Sequence, residues 1–552
     1  MHLDPLAEPG RRQPVLARNG AVATSQPLAA QAGLAILRAG GNAVDAAVAT
    51  AAALTVVEPC SNGLGSDAFA LVWDGGRLHG LNGSGRPPAR LTAAALRDLG
   101  LVAVPDVGWA SVTVPGAVRA WADLHARFGR LPFAELLAPA IALAREGFPV
   151  SPVVAWGWTR GVRAGADRLA RETDASASGF LPHFAPGGRA PRVGETWRSD
   201  ALAATLGALA ASGGDAFYTG DLAARIVAFA AATGGHLAAA DLAGHRSEWV
   251  EPLAAPYRDH EVWEIPPNGQ GIAALLALRI LDGFDPADVA GFGRAGGPVS
   301  PDAAPTPTAW HRQVEAVKLA LADAHALVGD PAVVDVPVAA LLSDAHAARR
   351  RGLIGTRAVP PSPVDPRASD TVYLCTADGE GQLVSFIQSN FAGFGSQIVV
   401  PGTGIALQNR GAGFSLEPGH PNELAPGKRP FHTIIPGFLT RGGHPVGPFG
   451  VMGGHMQAQG HVQVVVDTVD LGDDPQTALG RPRWFWDAAS ERVLVEATAG
   501  GTVVDALRDR GHDVAVAPHA AVFGRGQAIW RLEGGTLVAG SEPRADGVAA
   551  GW

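Results

Sequence analysis

The stretch Ala358-Val-Pro-Pro-Ser-Pro-Val-Asp-Pro-Arg-Ala-Ser-Asp370, followed directly by Thr371-Val-Tyr-Leu-Cys-Thr376, marks a change of character along this chain. Prolines at this density remove backbone donors and clash with a helical backbone, so the stretch predicts an exposed, extended segment. The apolar, β-branched and aromatic residues after it predict a buried strand. The chain therefore divides at residue 370.

Beyond residue 370 the sequence is rich in strand signals. A turn at Asp378-Gly-Glu-Gly381 separates the first strand from a second one over Leu383–Ser389. Further strands are expected near Ile398 and Ile405. The second part of the chain is thus predicted to supply mainly sheet.

Before residue 370 helical signals dominate. A proline in the first turn predicts a helix over Pro27–Leu37, and Asn42 with Asp45 predicts a capped helix over Ala43–Val57. Gly75-Gly76 predicts a hairpin turn between Phe69–Trp73 and Leu78–Leu81. Alanine and leucine at helical spacing predict further helices over Ala201–Leu209, Leu222–Ala232 and Ile272–Leu281. Helices first and strands later indicate the α+β class.

Composition limits the partners. The chain has 552 residues, of which 47% are hydrophobic and 17% charged, so it can bury a large core. A net charge of -9 without long basic runs argues against nucleic acid and anionic membranes as partners. We expect a small-molecule ligand instead.

Other features predict a cytoplasmic protein that works without a metal or other cofactor. The two cysteines, Cys60 and Cys375, are too few for a disulfide framework and are expected to be buried and unreactive. The first residues contain no apolar core of a signal peptide, and no window is apolar enough to span a membrane. Gly291-Phe-Gly-Arg-Ala-Gly296 matches GxGxxG by spelling only, since no strand precedes it, and the histidines are scattered.

An ordered set of short motifs over nearly the whole chain resembles the gamma-glutamyltransferase (gamma-glutamyltranspeptidase) family. Each motif is weak alone, but their common order is specific. They are Ala23–Gly33, Gly40–Ala47, Val57–Pro59, Gly63–Gly65, Val114–Gly116, Pro266–Gly271, the segment from Glu315 to Pro331, Pro401–Ile405, Pro426–Pro430, Gly453-Gly454 and Ser541–Arg544.

The resemblance implies an Ntn-hydrolase fold, a four-layer αββα sandwich, and a precursor that cleaves itself between Asp370 and Thr371. Residues 1–370 would form a large subunit and residues 371–552 a small one, together one catalytic unit that could pair into a dimer of heterodimers. Thr371 would then be the nucleophile. Its freed amine, with a pKa of about 8, would serve as the base.

Two further positions take their roles from the resemblance. Gly453 and Gly454 would form the oxyanion hole through their backbone amides, although a tight turn is the alternative. Ser389 would hydrogen-bond the nucleophile, although a solvated strand residue is nearly as well supported.

The residues that would clamp a glutamate substrate depart from the family pattern. Ser84 stands where the family has an arginine, with Arg86 close by in another register. Arg410 replaces a glutamine or glutamate, and His432-Thr433 replaces a pair of serines. In addition, Gly413 replaces an aspartate and Phe391 an asparagine.

Loss of an acidic partner and gain of an arginine predict a site for an anion without an ammonium group. We therefore expect a carboxylate-bearing amide as substrate, anchored by Arg410 or Arg86, as in divergent branches such as oxamate amidohydrolases and cephalosporin acylases. Two alternatives stay open. One is a true gamma-glutamyl hydrolase or transferase, and the other is an uncleaved small-molecule binding protein.

Overall fold

The computed structural model describes residues 12–171, 175–291, 300, 303–360 and 370–552. Its helices are α1 (Pro27–Arg38), α2 (Ala43–Val57), α3 (Ala93–Asp98), α4 (Ala117–Phe128), α5 (Phe133–Glu146), α6 (Pro152–Arg171), α7 (Phe180–Phe184), α8 (Asp200–Ser212), α9 (Ala216–Thr219), α10 (Asp221–Ala232), α11 (Ala239–Ala243), α12 (Gly271–Asp282), α13 (Pro307–Leu327), α14 (Val338–Leu341), α15 (Asp344–Arg351), α16 (Met456–Val469), α17 (Pro475–Gly480) and α18 (Gly501–Asp509). Its strands are β1 (Val15–Ala17), β2 (Gly20–Thr24), β3 (Asp67–Asp74), β4 (Arg77–Asn82), β5 (Phe148–Pro149), β6 (Thr196–Trp197), β7 (Glu248–Val250), β8 (Leu253–Tyr257), β9 (His260–Glu264), β10 (Asp370–Asp378), β11 (Leu383–Phe391), β12 (Ile398–Val400), β13 (Ile405–Leu407), β14 (Gly437–Arg441), β15 (His444–Met452), β16 (Trp484–Asp487), β17 (Arg492–Val495), β18 (Val514–Val516), β19 (Arg525–Arg531), β20 (Leu537–Ser541) and β21 (Val548–Gly551).

Two seven-stranded antiparallel sheets form the centre of the molecule. The first has the order β1-β20-β19-β15-β14-β9-β8, and the second has the order β21-β2-β10-β11-β3-β4-β7. Each sheet mixes strands from before and after residue 370. The two parts of the chain are therefore interleaved within both sheets.

The inner faces of the sheets pack on each other. Phe69 and Tyr373 of the second sheet share one buried cluster with Phe438 and Ile529 of the first. On the outer face of the second sheet lie α1, α2, α4 and α5, and on the outer face of the first lie α12, α13 and α16. This arrangement confirms the four-layer αββα sandwich.

Elements with strong local signals form where the sequence predicts them. Helix α2 has the expected capping box, in which the Asn42 side chain accepts from the amide of Asp45 and the Asp45 carboxylate accepts from the amide of Asn42. Every residue of this helix is buried, because it lies between α1, α5 and the sheet. Strands β3 and β4 form the expected hairpin.

Some sequence features lie partly outside the described residues. Of the proline-rich stretch, the structure describes residues 358–360 and 370, and of the Gly291–Gly296 spelling it describes Gly291 alone. Both Cys60 and Cys375 are buried, as expected. Among the described residues no helix is both long and apolar enough to cross a lipid bilayer.

Candidate active site

Thr371 lies at the start of β10, a central strand of the second sheet, and is fully buried. Its hydroxyl donates a hydrogen bond to Ser389 Oγ on the neighbouring strand β11, with an oxygen-to-oxygen distance of 3.2 Å. Gln457 Nε2, from the first turn of α16, donates to the same threonine oxygen at 3.4 Å. The second sheet and helix α16 thus converge on this hydroxyl.

Ser389 is held in place by the end of its own strand. Its Oγ accepts a hydrogen bond of 2.8 Å from the amide of Phe391. Phe391 has a φ of 80°, an uncommon conformation for a bulky residue that is typically kept only where the surroundings enforce it. Backbone strain at this position therefore accompanies the contact between the two hydroxyls.

Gly453 and Gly454 link the end of β15 to α16. Their φ angles are 130° and 63°, which glycine adopts readily. The side chain of Gln270 fixes the segment by donating to the carbonyl oxygens of Gly454, at 2.9 Å, and Thr433, at 2.6 Å. Within the described chain, the amides of the two glycines donate to no other residue, so both are available as donors to a ligand.

Arg410 is fully buried beside this site. Its Nη1 donates to Thr433 Oγ1 at 2.8 Å, and its guanidinium lies over the Phe391 ring, 4.4 Å from the centroid. Burial lowers the pKa of Arg410 to about 9, opposed by the Asp67 carboxylate 3.8 Å away, so the group keeps its charge at neutral pH. Its Nε and Nη2 have no hydrogen-bond partner among the described residues.

Asp67 is the centre of a buried polar network. Its carboxylate lies 2.9 Å from His432 Nε2 and accepts hydrogen bonds from Gln408 Nε2 at 2.7 Å and from the amide of Gly85 at 3.2 Å. Burial raises the pKa of Asp67 to about 7, although the nearby Arg410 opposes the change. Burial also lowers the pKa of His432 well below its usual range, so this imidazole is neutral.

The structure separates the predicted substrate-binding residues into groups. Thr433 borders a cavity, whereas its neighbour His432 is turned toward Asp67. Ser84 is buried and donates to Asn82 Oδ1 at 2.6 Å. Arg86 lies at the surface, where it pairs with Glu248 at 3.2 Å, and it is not among the described residues that border the cavity.

We call the cavity bordered by Phe391, Gly413, Thr433 and His455 the first cavity. It has a volume of about 470 Å³. Its wall includes two more histidines, His325 and His420. The rings of His325 and His455 have centroids 5.2 Å apart, and burial, then His455, lowers the pKa of His325 well below the usual range. The first cavity therefore has several aromatic rings and one acidic side chain, Glu417, in its wall, with Arg410 directly behind Phe391 and Thr433.

Three contributors to the site escaped the sequence analysis, namely Gln457, Gln270 and Asp67. Gln270 lies within the quoted motif Pro266–Gly271, and Gln457 follows Gly453 by four residues, so both were close to recognised signals. Nothing local distinguishes Asp67, because its partner His432 is 365 residues away. Among the described residues, no group of three or more His, Cys, Asp or Glu side chains is arranged to hold a metal ion.

Comparison with known proteins finds similarity to one family over nearly the whole chain. The family model described as gamma-glutamyltranspeptidase matches residues 29–552. A glutathione hydrolase-like YwrD proenzyme from Bacillus subtilis is 36% identical over 540 residues, which is 95% of this chain and 97% of that protein. An oxamate amidohydrolase proenzyme from Klebsiella pneumoniae is also 36% identical, over 97% of this chain and 98% of its own.

A solved structure is more similar still. The crystal structure of cephalosporin acylase from Bacillus halodurans is 52% identical in sequence and superposes with a TM-score of 0.92. The match covers 100% of this chain and 99% of that one. The sandwich and its connectivity are thus shared over the full length.

Proposed function

The chain belongs to the gamma-glutamyltranspeptidase family, and on that premise we propose that it is a self-cleaving amidohydrolase with Thr371 as its N-terminal nucleophile. The observation that carries the proposal is the convergence of Ser389 and Gln457 on the Thr371 hydroxyl. The amide of Gln457 also donates to the carbonyl of Gly454, and the amides of Gly453 and Gly454 donate to no other described residue. Relatives named as proenzymes of an amidohydrolase and of a glutathione hydrolase-like protein support the reaction class.

Self-cleavage begins on the precursor. The Thr371 hydroxyl attacks the carbonyl carbon of Asp370, and the acyl group moves from nitrogen to oxygen, which breaks the peptide bond and frees the Thr371 amine. Water then hydrolyses the ester, so that Asp370 ends one chain as a carboxylate and Thr371 begins the other. A hydroxyl needs a base for such an attack, and in the mature enzyme the freed amine supplies it.

Turnover repeats the attack on an external amide. The Thr371 oxygen adds to the amide carbon while its amine takes the hydroxyl proton, and the Gly453 and Gly454 amides stabilise the oxyanion by roughly 3–4 kcal/mol each. The carbon–nitrogen bond breaks, and the proton passes to the departing amine. Water then hydrolyses the ester to release the acid, whereas an amine acceptor in place of water would make the enzyme a transferase.

The substrate proposed here is a small amide with a carboxylate on its acyl half. Arg410 is the group that supports this choice, because it contacts Thr433 and Phe391, which border the first cavity, from behind and keeps its charge. Arg86 is a weaker candidate, because Glu248 already pairs with it at the surface. Without an acidic group at Gly413, nothing at that position would bind the ammonium of a gamma-glutamyl group.

Mass spectrometry of the purified protein tests the nucleophile. We expect two fragments, the smaller beginning at Thr371, and a single uncut chain for Thr371→Ala. Thr376→Val is the matched control, because Thr376 is buried on the same strand and its hydroxyl donates to the Ala43 carbonyl at 2.7 Å. It should cleave like the wild type. Two fragments from Thr371→Ala would refute the proposal, and an uncut, inactive wild type would favour the binding-protein alternative.

Substrate class is tested with two amides. Ammonia release from oxamate would support the carboxylate-amide assignment. Strong nitroaniline release from a gamma-glutamyl nitroanilide, saturating at low concentration, would instead show that a glutamate clamp has been rebuilt from other residues.

A further inference from the structure

A second cavity, of about 560 Å³, borders the same end of the sandwich. Its wall contains Ser25, which follows β2, Ala392, which follows β11, and Arg525, which begins β19. It also contains Glu58 and Asn409. We call it the second cavity.

The two cavities flank the start of β10. Asp370 pairs with Phe391 across the strands, and Phe391 borders the first cavity while the next residue, Ala392, borders the second. On the other sheet, Arg525 pairs with Met452, the residue before Gly453. The end of β11, which pairs with the start of β10, thus borders both cavities.

Arg525 and Glu58 give the second cavity its distinctive chemistry. The Arg525 side chain is only 12% exposed, and its one charged neighbour within 4 Å among the described residues is Glu58, at 3.9 Å. Both Glu58 oxygens are already engaged, one by Ser25 Oγ at 2.5 Å and one by Ser61 Oγ at 3.1 Å. The guanidinium therefore has donors left for a ligand while Glu58 is held in position.

Three more acidic residues, Asp106, Asp167 and Asp546, border the second cavity, and the last of them is held by the protein. Asp546 accepts hydrogen bonds from the amides of Val153 and Val154 at the start of α6. Arg160 lies over the ring of Trp156, 4.5 Å from its centroid, on the same wall. Glu58 and Asp546 are thus held by the protein, whereas Arg525 borders the same cavity with donors left.

We infer that the second cavity receives the amine half of the amide substrate and that Arg525 binds a carboxylate on that half. This inference rests on the proposed function, since an amide attacked at Thr371 must extend to both sides of its carbonyl. The first cavity then holds the acyl half. An arginine fork matches a carboxylate with two parallel hydrogen bonds, which specifies an amine half of the amino-acid type.

A pair of amides that differ by one carboxylate tests the inference. N-glutaryl-3-aminobenzoate and N-glutaryl-aniline share the acyl half, and only the first has a carboxylate on the amine half. We expect kcat/KM to be at least about ten-fold higher for the first, the gain typical of one charge-assisted hydrogen bond. In Arg525→Gln this ratio should fall to near one.

Arg492→Gln is the matched control, because Arg492 is also on a strand and pairs with Asp513 at the surface, away from both cavities. It should keep the wild-type ratio. A ratio near one in the wild type, or a ratio that survives in Arg525→Gln, would overturn the inference.

Calorimetric titration with 3-aminobenzoate alone covers the case in which neither amide is hydrolysed, which would count against the proposed function and not against the second cavity. Binding that is lost in Arg525→Gln and kept in Arg410→Gln supports the inference. Absent binding, or binding lost only in Arg410→Gln, contradicts it.

Discussion

Arg410 and Arg86 make different predictions at the scale of single residues. Arg410→Gln should raise KM ten- to hundred-fold for whichever of oxamate or N-glutaryl-aniline the wild type hydrolyses, because a charged partner contributes about 1.5–3 kcal/mol. Arg86→Gln should change KM little, since Arg86 is engaged with Glu248 and the carbonyl of Gly427. Steady-state kinetics of both variants measure these changes in KM. Equal increases in KM for the two variants would contradict the assignment of Arg410 as the carboxylate anchor.

Asp67 predicts how stability depends on pH. Burial raises its pKa to about 7, whereas the unfolded carboxyl titrates near pH 4. The folded state thus keeps a proton that the unfolded state releases, so this contribution to stability is complete below about pH 4 and is lost as pH rises to about 7. Relative to Asp67→Asn, the wild type should lose unfolding free energy across that window in urea titrations. If the unfolding free energies of the two proteins changed with pH in parallel, the raised pKa of Asp67 would be refuted.

Among the elements, helix α13 anchors Val359, which precedes the proposed cleavage site along the chain. Glu315 Oε2 accepts a hydrogen bond of 2.8 Å from the amide of Val359. Lys318 Nζ donates to the carbonyl oxygen of Val359 at 2.5 Å and also pairs with Glu315 at 2.8 Å. Beyond α18, the carbonyl of Arg510 accepts from the amide of Ala358 at 2.8 Å. Val359 is therefore anchored eleven residues before Asp370.

Loss of this anchor should slow self-cleavage. Lys318→Met leaves Glu315 buried without its partner, which costs about 3–5 kcal/mol, and should increase the uncut fraction on a denaturing gel. The double variant Glu315→Leu/Lys318→Met should recover stability but still cleave slowly. Arg312→Met is the control, because Arg312 is on the same helix and its substitution breaks a surface pair with Asp288. Normal cleavage in the double variant would show that the anchor is purely structural.

Helices and hairpins with local sequence signals were predictable, whereas the pairing of strands distant in sequence was not. The capping box of α2 and the hairpin of β3 and β4 depend on residues a few positions apart, so the sequence determines them directly. The pairing of β10 with β2 joins segments about 350 residues apart, and no local pattern encodes it. The same holds for the site: the family resemblance led to Thr371 and Ser389, whereas the link from Asp67 to His432 required the fold.

For the whole molecule, the interleaving of strands from the two parts of the chain predicts that the cleaved protein still folds and unfolds as one cooperative unit. The first sheet combines β1, β8 and β9 with β14, β15, β19 and β20, and the second combines β2, β3, β4 and β7 with β10, β11 and β21. Separation of the two fragments would expose both inner faces and leave central strands unpaired, which is far more costly than the loss of one peptide bond.

We therefore expect the cleaved protein to migrate as one species on a native gel and to unfold in a single calorimetric transition, although a denaturing gel resolves two chains. Residues 1–370 and 371–552 expressed separately should be insoluble, because each would carry exposed apolar strands whose neighbours belong to the other. The uncut Thr371→Ala protein is the control and should show one transition as well. Two transitions in the cleaved protein alone would mean that the parts are independent domains, in conflict with the strand order of both sheets.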